Sequence, residues 1–395
     1  MNRRGTMSEQ PRTPLNVFPG ETCEPEYLSE RNCYRLNNPD GYSYCIDRYV
    51  LFDFIGEGGS CLVYKALDTA NGNIVIIKEY YPAALSALIT REGNDLVLRP
   101  GITEADHARV ERAFAQAFQQ ELSGVGEYRY TKDLNNDDRF LVATNLISRG
   151  RAAGSLNRYA VISTGTGITL AELCLTTAGR ARIEEILAVM LQLCATVNAF
   201  HTKGRIHLDL NERNIFLRGT KEEELRDRKI SLIDFGSSFA ADHLEEGGSF
   251  SGSDRTAAPE QKAVAFGGKV GSIGRHSDVF SVAQVFKSLL ARDAETGLFP
   301  GFEEEEAEAS FEDSRCLKAL SKPEREELLR VLEKGTEQNP AYRYQNVEEL
   351  TEDLRCLMDI VEDKGVHPVI IKKRAQERGQ ILGKGIRPEL VCEVD

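Results

Sequence analysis

His207-Leu208-Asp209-Leu210-Asn211-Glu212-Arg213-Asn214, followed by the apolar run Ile230–Ile233 and then Asp234-Phe235-Gly236, decides the fold of this chain. An Asp and an Asn five residues apart, on a loop between a helical run and a short β-type run, can converge on one small site. One carboxylate can orient a hydroxyl there, and one amide oxygen can ligate Mg²⁺. Asp234 supplies a second metal-binding carboxylate at the end of an apolar strand. The loop follows an amphipathic stretch, Ile183 to Thr202, whose apolar positions are Ile186, Leu187, Met190, Leu191, Cys194 and Val197. Downstream lie Ala258-Pro259-Glu260, then Asp278 and Arg343; a buried Glu–Arg pair of that kind would brace a helical unit. Helical patterns recur at Asp278 to Arg292, Pro323 to Lys334 and Val347 to Val361.

The half of the chain before the loop reads differently. From Tyr49 it shows short β-type runs, with Gly56-Glu57-Gly58-Gly59-Ser60 between the first two and Asn71-Gly72 between the second and third. Asn-Gly between apolar runs is a hairpin signal, so Tyr49 to Tyr80 is predicted as three antiparallel strands. The Gly-rich turn leads from strand to strand, unlike a dinucleotide fingerprint, which leads into a helix. Its glycines let backbone amides approach phosphate oxygens. Taken alone, such a turn is more often an ordinary hairpin, and Lys78 an ordinary strand-end charge. Thr103 with Asp106 marks a helix start, and Phe114, Phe118 and Leu122 would share one helix face. The runs Phe140–Ile147 and Arg158–Thr164 read as a strand pair, which closes a β-rich unit near Ser163.

Flap, strand lysine, H-x-D-x-x-x-x-N, D-F-G, A-P-E and the downstream Asp and Arg follow one order, and from Tyr49 to Val361 the chain resembles the eukaryotic-type (Hanks-type) protein kinase family. Lys78-Glu79-Tyr80-Tyr81-Pro82, with a following insertion that carries Arg91 and Leu96-Val97-Leu98, is similar to a bacterial subgroup bearing Lys-Glu-Tyr-aromatic-Pro. The resemblance implies an α+β, two-lobed fold: an extension over 1–46, a β-rich N-lobe with one long helix over 47–163, a mainly helical C-lobe over 164–361, and a tail over 362–395. It implies that Lys78 holds the α and β phosphates of ATP and pairs with Glu121, because Phe118-Gln119-Gln120-Glu121 fits the family's F-x-x-E; Glu111 is the weaker candidate. Gly56, Gly58, Val63, Ile76, Ile162, Ser163, Gly165 and Phe216 would surround the nucleotide, with Ile162 to Gly165 as the hinge facing the adenine. Asp209 would orient the acceptor hydroxyl and take its proton, while Asn214 and Asp234 would hold Mg²⁺ or Mn²⁺. Val125, His207 and Phe235 would form a packed column, and Ser237 to Thr256 the activation segment. Its Ser249, Ser251, Ser253 and Thr256 are candidate phosphorylation sites, although serines are common in any loop.

The chain departs from the family pattern at four places. Leu208 replaces the Arg that usually answers an activation-segment phosphate, and Asn211 replaces the Lys that neutralises the transferred phosphoryl group. Arg213 is the residue placed to restore that charge. Cys61 stands at the third flap Gly, and Ile76 where a small Ala usually caps the adenine; a shifted strand register is the other explanation for Ile76. The leading expectation is ATP-dependent transfer of the γ-phosphoryl group to Ser or Thr hydroxyls of proteins. The alternatives are a pseudokinase that senses nucleotide or scaffolds, and a small-molecule phosphotransferase. Ala258-Pro259-Glu260, Asp278 and Arg343 argue against the last, because they shape a protein-substrate platform.

Composition narrows the partners. The formal charge of −13 disfavours a protein whose task is to grip nucleic acid or an anionic membrane. No run approaches the ~18 consecutive apolar residues of a membrane span; Ile186 to Phe200 is interrupted by Gln192, Thr196 and Asn198. Arg3 and Arg4 have no apolar run behind them, so the N-terminus does not read as a secretory signal. Nine cysteines without a C-x-x-C pair read as reduced thiols in a cytoplasmic protein. In a chain of this charge, the positive groups that hold ATP must be local.

Overall fold

The structure is a computed structural model and describes residues 11–15, 25–28, 33–36, 44–123, 134, 137–148, 154–173, 175, 179–220, 223–240, 255–265, 272–291 and 314–362. The chain divides into two compact units, one of residues 1–167 with 233–236, the other of 168–232 with 237–395. The acidic run Glu303 to Glu306 and the tail after 362 lie outside the described residues.

In the first unit, β1 (Pro25–Leu28) and β2 (Cys33–Leu36) form a two-stranded antiparallel pair. The main sheet contains β3 (Cys45–Ile46), β4 (Tyr49–Glu57), β5 (Cys61–Asp68) and β6 (Asn73–Tyr80). The hairpin of β7 (Ile89–Glu92) and β8 (Asp95–Leu98), the helix α1 (Glu104–Ser123) and the short β9 (Phe140–Leu141) come next. β10 (Ala143–Ile147) and β11 (Tyr159–Ser163) complete the sheet, whose order is β10-β11-β6-β5-β4-β3. Every neighbouring pair within it is antiparallel. Alternation sorts the side chains: Leu62, Tyr64, Val75 and Ile77 are buried, while Val63, Lys65 and Ile76 are half-buried on the other face. The Asn71-Gly72 turn forms as expected, with Gly72 at φ +70° and its amide donating to the Asp68 carbonyl at 2.8 Å. At the start of α1 the Asp106 amide donates to Thr103 Oγ1 at 3.1 Å, and Thr103 Oγ1 to the Asp106 carboxylate at 2.7 Å. Val110 and Phe114 of α1 pack into the core, and Tyr80 meets Phe114 edge-on at 4.7 Å. The side chains of Phe118 and Leu122 lie outside the described residues.

Two features of this unit have no local signal in the sequence. First, the leading segment reaches the core: Leu15 is 3% exposed and belongs to the same core as Leu62, Tyr64 and Ile77. Second, the core holds an ion pair. Alternation sends Glu79, next to Lys78, onto the core face, where it has no exposed surface. Arg91 of β7 meets it at 2.6 and 3.0 Å, and the Tyr64 hydroxyl donates to it at 3.1 Å. Burial pushes the Glu79 carboxyl up and Arg91 pulls it back. On the other side, burial works to lower the Arg91 guanidinium, and the bonds and charge of Glu79 overturn this and raise it. The two-point geometry sets guanidinium and carboxylate fork to fork. Burial, with the neighbouring Glu79 charge, raises the Tyr64 hydroxyl, so it remains a donor.

The second unit carries β12 (Gly167–Thr169), α2 (Gly179–Thr202), β13 (Arg205–Ile206), β14 (Ile215–Arg218), β15 (Lys229–Ile233) and β16 (Phe239–Ala240). Among the described residues five helices follow: α3 (Pro259–Ala265), α4 (Arg275–Ala291), α5 (Arg315–Lys318), α6 (Lys322–Gly335) and α7 (Val347–Val361). α2 is long and apolar enough by length and composition to cross a bilayer. Its apolarity is accounted for by packing against α4 and α7, with Ile186, Leu187, Met190, Leu193, Cys194 and Val197 buried. Leu191, assigned to the buried face from the sequence, is only half-buried. α6 starts on a box in which Ser321 and Glu324 cap each other, and α7 on Asn346, whose side chain accepts from the Glu349 amide at 3.0 Å. Arg330 of α6 reaches Asp353 of α7 at 3.0 Å, and Tyr344 donates to the same carboxylate at 2.7 Å.

Arg91→Ala strands the buried Glu79 carboxylate and is expected to lower stability by about 3–5 kcal/mol. Urea unfolding followed by tyrosine fluorescence measures this, since the chain has no Trp. The double variant Glu79→Leu/Arg91→Met, which removes both charges, should lose less than Arg91→Ala alone.

Candidate functional site

The first unit supplies a glycine-rich turn and a lysine on one sheet face. Gly56 sits at φ +151°, a conformation that L side chains rarely adopt, and a Cβ at Gly58 or Gly59 would meet nothing within 4 Å. The turn therefore has open space where side chains would stand, and its Gly58 amide donates to the Cys61 carbonyl at 2.9 Å. Cys61, at the position of the third flap glycine, is half-buried and pairs across the sheet with Tyr80. In the β5–β6 register Val63 opposes Lys78 and Lys65 opposes Ile76, while Ile162 of β11 opposes Ile76 from the other side. Cross-strand partners share a face, so Val63, Ile76, Lys78 and Ile162 lie together. No register slip separates Ile76 from Lys78.

Lys78 Nζ lies 2.8 Å from Asp234 Oδ2, with the lysine side chain 9% exposed. Asp234 itself is at φ +61°, so the D-F-G segment passes through the left-handed region at its acidic residue. Phe235 is buried and meets Phe140 edge-on at 6.3 Å. Glu121 falls on α1, but its side chain lies outside the described residues, as does Val125 altogether. Glu111 is exposed and lies 3.6 Å from His107. Ile162 is buried and Ser163 exposed at the end of β11, and Gly165 turns at φ +68°.

In the second unit the loop from His207 to Asn214 is anchored by a buried carboxylate. Asp278 of α4 accepts from the His207 and Leu208 amides, each at 2.8 Å, and its Oδ2 lies 2.8 Å from His201 Nε2. Burial works to raise the Asp278 carboxyl; the His201 bond and charge, then His207, prevail and hold it below the usual range. This anchoring keeps Leu208 at φ +63°, a strained conformation for a non-glycine residue. The Leu208 side chain is buried with Ile206, Ile273 and Val264. Where the resemblance places a phosphate-binding Arg, this chain therefore has an apolar plug. The Leu208 carbonyl accepts from Gln261 Nε2 at 2.8 Å.

The next residue, Asp209, is held at both oxygens. Asn211 Nδ2 donates to Oδ1 at 3.1 Å and Asn214 Nδ2 to Oδ2 at 3.0 Å. Both amides also reach the Asp209 carbonyl, at 3.1 and 2.8 Å. The donor ends being so used, the Oδ1 of Asn214 is the end that a cation would take. Asn211, which replaces the family lysine, thus orients the carboxylate instead of supplying charge. Arg213 is exposed, with its amide donating to Asn211 Oδ1 at 3.0 Å. Phe216 of β14 is buried, as is His207, whose ring faces Phe200 at 5.9 Å.

The platform residues come together as expected. Arg343, fully buried, meets Glu260 at 2.8 and 3.1 Å, and Ser277 donates to the same carboxylate at 2.8 Å. Burial works to raise Glu260, and Arg343 overcomes it to hold the carboxyl low. Sequence reasoning missed Glu212, a buried carboxylate that takes Arg255 at 2.5 Å and the Ser288 hydroxyl. Alternating charge in the loop was its only sequence signal. Thr256 corrects an expectation: it is 1% exposed, its carbonyl accepting from Ser281 Oγ at 2.8 Å, so it is a poor phosphate acceptor. Ser249, Ser251 and Ser253 lie outside the described residues.

Among the described residues no three His, Cys, Asp or Glu side chains gather as a metal site. The implied set is different in kind, an amide oxygen from Asn214 and a carboxylate from Asp234. Both are hard oxygen donors, which suits Mg²⁺. The flap glycines, open to contact, and the ammonium of Lys78 suit the phosphates of a nucleotide.

Because its pKa in the folded chain lies below the ordinary value, Asp278 stabilises the fold fully above the ordinary carboxylate range, and this contribution is lost as pH falls through it. Asp278→Asn should be less stable than wild type at about pH 7. Its stability should also fall less between about pH 6 and pH 3. Unfolding followed by circular dichroism across that range measures both.

Residues 150–354, just over half of the chain, match the family model described as the protein kinase domain. A solved structure described as the apo form of PpkA-294 superposes with a TM-score of 0.51 at 21% identity, covering 79% of this chain and 98% of that one. The PknI kinase domain of Mycobacterium tuberculosis superposes with a TM-score of 0.43 at 15% identity, covering 80% of this chain and 98% of that one. A search of curated proteins gives no match. The matched model spans the His207–Asn214 loop, Asp234-Phe235-Gly236 and the Glu260–Arg343 brace, and the chain belongs to the protein kinase domain family.

Proposed function

We propose that this chain is an active protein kinase that uses ATP and Mg²⁺ to phosphorylate Ser or Thr hydroxyls of a protein substrate. The observation that carries the reading is Asp209, whose two oxygens are each fixed by an amide donor. A carboxylate so oriented can accept the hydrogen bond of an acceptor hydroxyl and take its proton as that oxygen bonds to the γ phosphorus. The bond from the γ phosphorus to the leaving oxygen breaks, and ADP departs with its electron pair. Lys78 exchanges its contact with Asp234 for the α and β phosphates. Asn214 and Asp234 would hold the divalent cation, which when bound would offset phosphate charge. Arg213, exposed beside the loop, supplies the positive charge that Asn211 lacks. Leu208, plugged into an apolar cluster, leaves no arginine there to answer an activation-segment phosphate. Activity is therefore proposed not to depend on that modification. The Ser/Thr preference rests on the family resemblance.

One observation favours a second reading, a pseudokinase acting as a nucleotide-sensing or scaffolding module. Ile76 shares the face of Lys78, where a side chain three carbons larger than Ala narrows an adenine pocket. Overpacking of that order costs about 1–3 kcal/mol.

With labelled ATP and Mg²⁺, wild type should label itself or a generic protein acceptor, and Asp209→Asn should transfer about 10²–10⁴-fold more slowly. Equal signals from both would remove the enzyme reading. Phosphoamino-acid analysis of the product separates Ser and Thr from Tyr. Mg-ATP should raise the wild-type melting midpoint. A midpoint that rises only in Ile76→Ala would show that Ile76 closes the pocket.

A further inference from the structure

The segment 11–15 is the part of the first unit that no function above uses, and it touches the glycine-rich turn. Arg12 lies against that turn with a side chain only 7% exposed. Its Nη2 donates to the Gly58 carbonyl at 2.7 Å and lies 3.2 Å from Glu57 Oε2, while Nη1 donates to the Tyr81 carbonyl at 2.7 Å. The rest of the segment is anchored apart from the turn. The Thr13 carbonyl accepts from Arg91 Nε at 2.7 Å, and the Leu15 amide donates to the Tyr64 hydroxyl at 3.0 Å. Arg91 and Tyr64 are both partners of Glu79, the neighbour of Lys78.

We infer that Arg12 is a positioning residue for the phosphate-facing turn, so that residues 11–15 act as a strap that sets the turn's conformation in cis. This rests on the reading of the turn as the nucleotide flap. The physical reason lies in one peptide plane. The Gly58 carbonyl and the Gly59 amide belong to the same planar trans unit, so holding the oxygen also aims the N–H on its opposite side. Neither residue has a side chain of its own to restrain this plane, and a Cβ at either would meet nothing within 4 Å. Two backbone bonds, Tyr81 N–H to the Ser60 carbonyl at 3.0 Å and Ala83 N–H to the Gly59 carbonyl at 2.9 Å, tie the far side of the turn. Arg12 ties the near side, and links it to the Tyr81 carbonyl. A turn held in advance spares a nucleotide the cost of ordering it. A guanidinium suits the task, since its fork can reach two carbonyls and a carboxylate together.

The test uses the full chain with Arg12→Ala and Arg12→Lys. In Arg12→Ala, amide hydrogen exchange over residues 57–61 should quicken about tenfold while the rest of the sheet is unchanged. KM for ATP should rise about five- to tenfold, with kcat within twofold. Arg12→Lys, which keeps the charge but loses the fork, should recover part of both. Unchanged exchange and KM in Arg12→Ala would overturn the proposal, as would faster exchange throughout the sheet, which would mark Arg12 as generally structural. If wild type transfers no phosphate, the kinase reading fails separately, and the confinement of the exchange effect to 57–61 alone decides for or against the strap.

Discussion

A carboxylate with no exposed surface, that of Asp278, sets the geometry on which the proposed chemistry rests. It accepts two consecutive backbone amides and faces an imidazole, so the cost of burying its charge is offset by hydrogen bonds to that charge. The same bonds hold Leu208 in the left-handed region, at a cost of about 1–2 kcal/mol for a residue with a Cβ. Turning the chain at Leu208 presents Asp209 to Asn211 and Asn214, which then fix both its oxygens. Removing the anchor frees the turn and with it the direction of the carboxylate.

The first unit repeats the principle with a different pair. Glu79 and Arg91 are both withdrawn from water, and each makes the other's burial tolerable. Through Arg91 and Tyr64 the pair also fastens residues 13 and 15, and these carry Arg12 to the flap. A motif whose lysine shares a face with Val63 and Ile76 thus has its glutamate on the other side of the strand, as structural support. Strand alternation makes this division unavoidable: consecutive residues point to opposite faces.

The departures from the family pattern take on physical meaning in this setting. Leu208 fills an apolar cluster, which suits a loop position held by backbone bonds and facing Ile206, Ile273 and Val264. Asn211 exchanges a charge for orientation, because its short amide donates to both the carbonyl and the carboxylate of Asp209. Ile76 stands on the Lys78 face in a register with no slip, so its bulk is a property of that face.

Much of the architecture was legible because local rules sufficed. Asn71-Gly72, Thr103 with Asp106, and the apolar period of α7 each encode their element within a few residues. The order of flap, Lys78, Asp209, Asn214, Asp234 and Glu260 was equally open to reading, since chemistry restricts each to one or two residue types. Beyond the Glu260–Arg343 brace, what the order of residues could not reveal was which charged groups pair. Lys78 with Asp234, Glu79 with Arg91, Glu212 with Arg255 and Arg12 with Gly58 each join residues far apart in sequence, and one carboxylate looks like another until folding selects its partner. By itself the sequence determined which chemical groups are available and in what order. Only the tertiary structure decided which of them are withdrawn from water, because burial and ion pairing are properties of surfaces that meet after the chain has closed on itself.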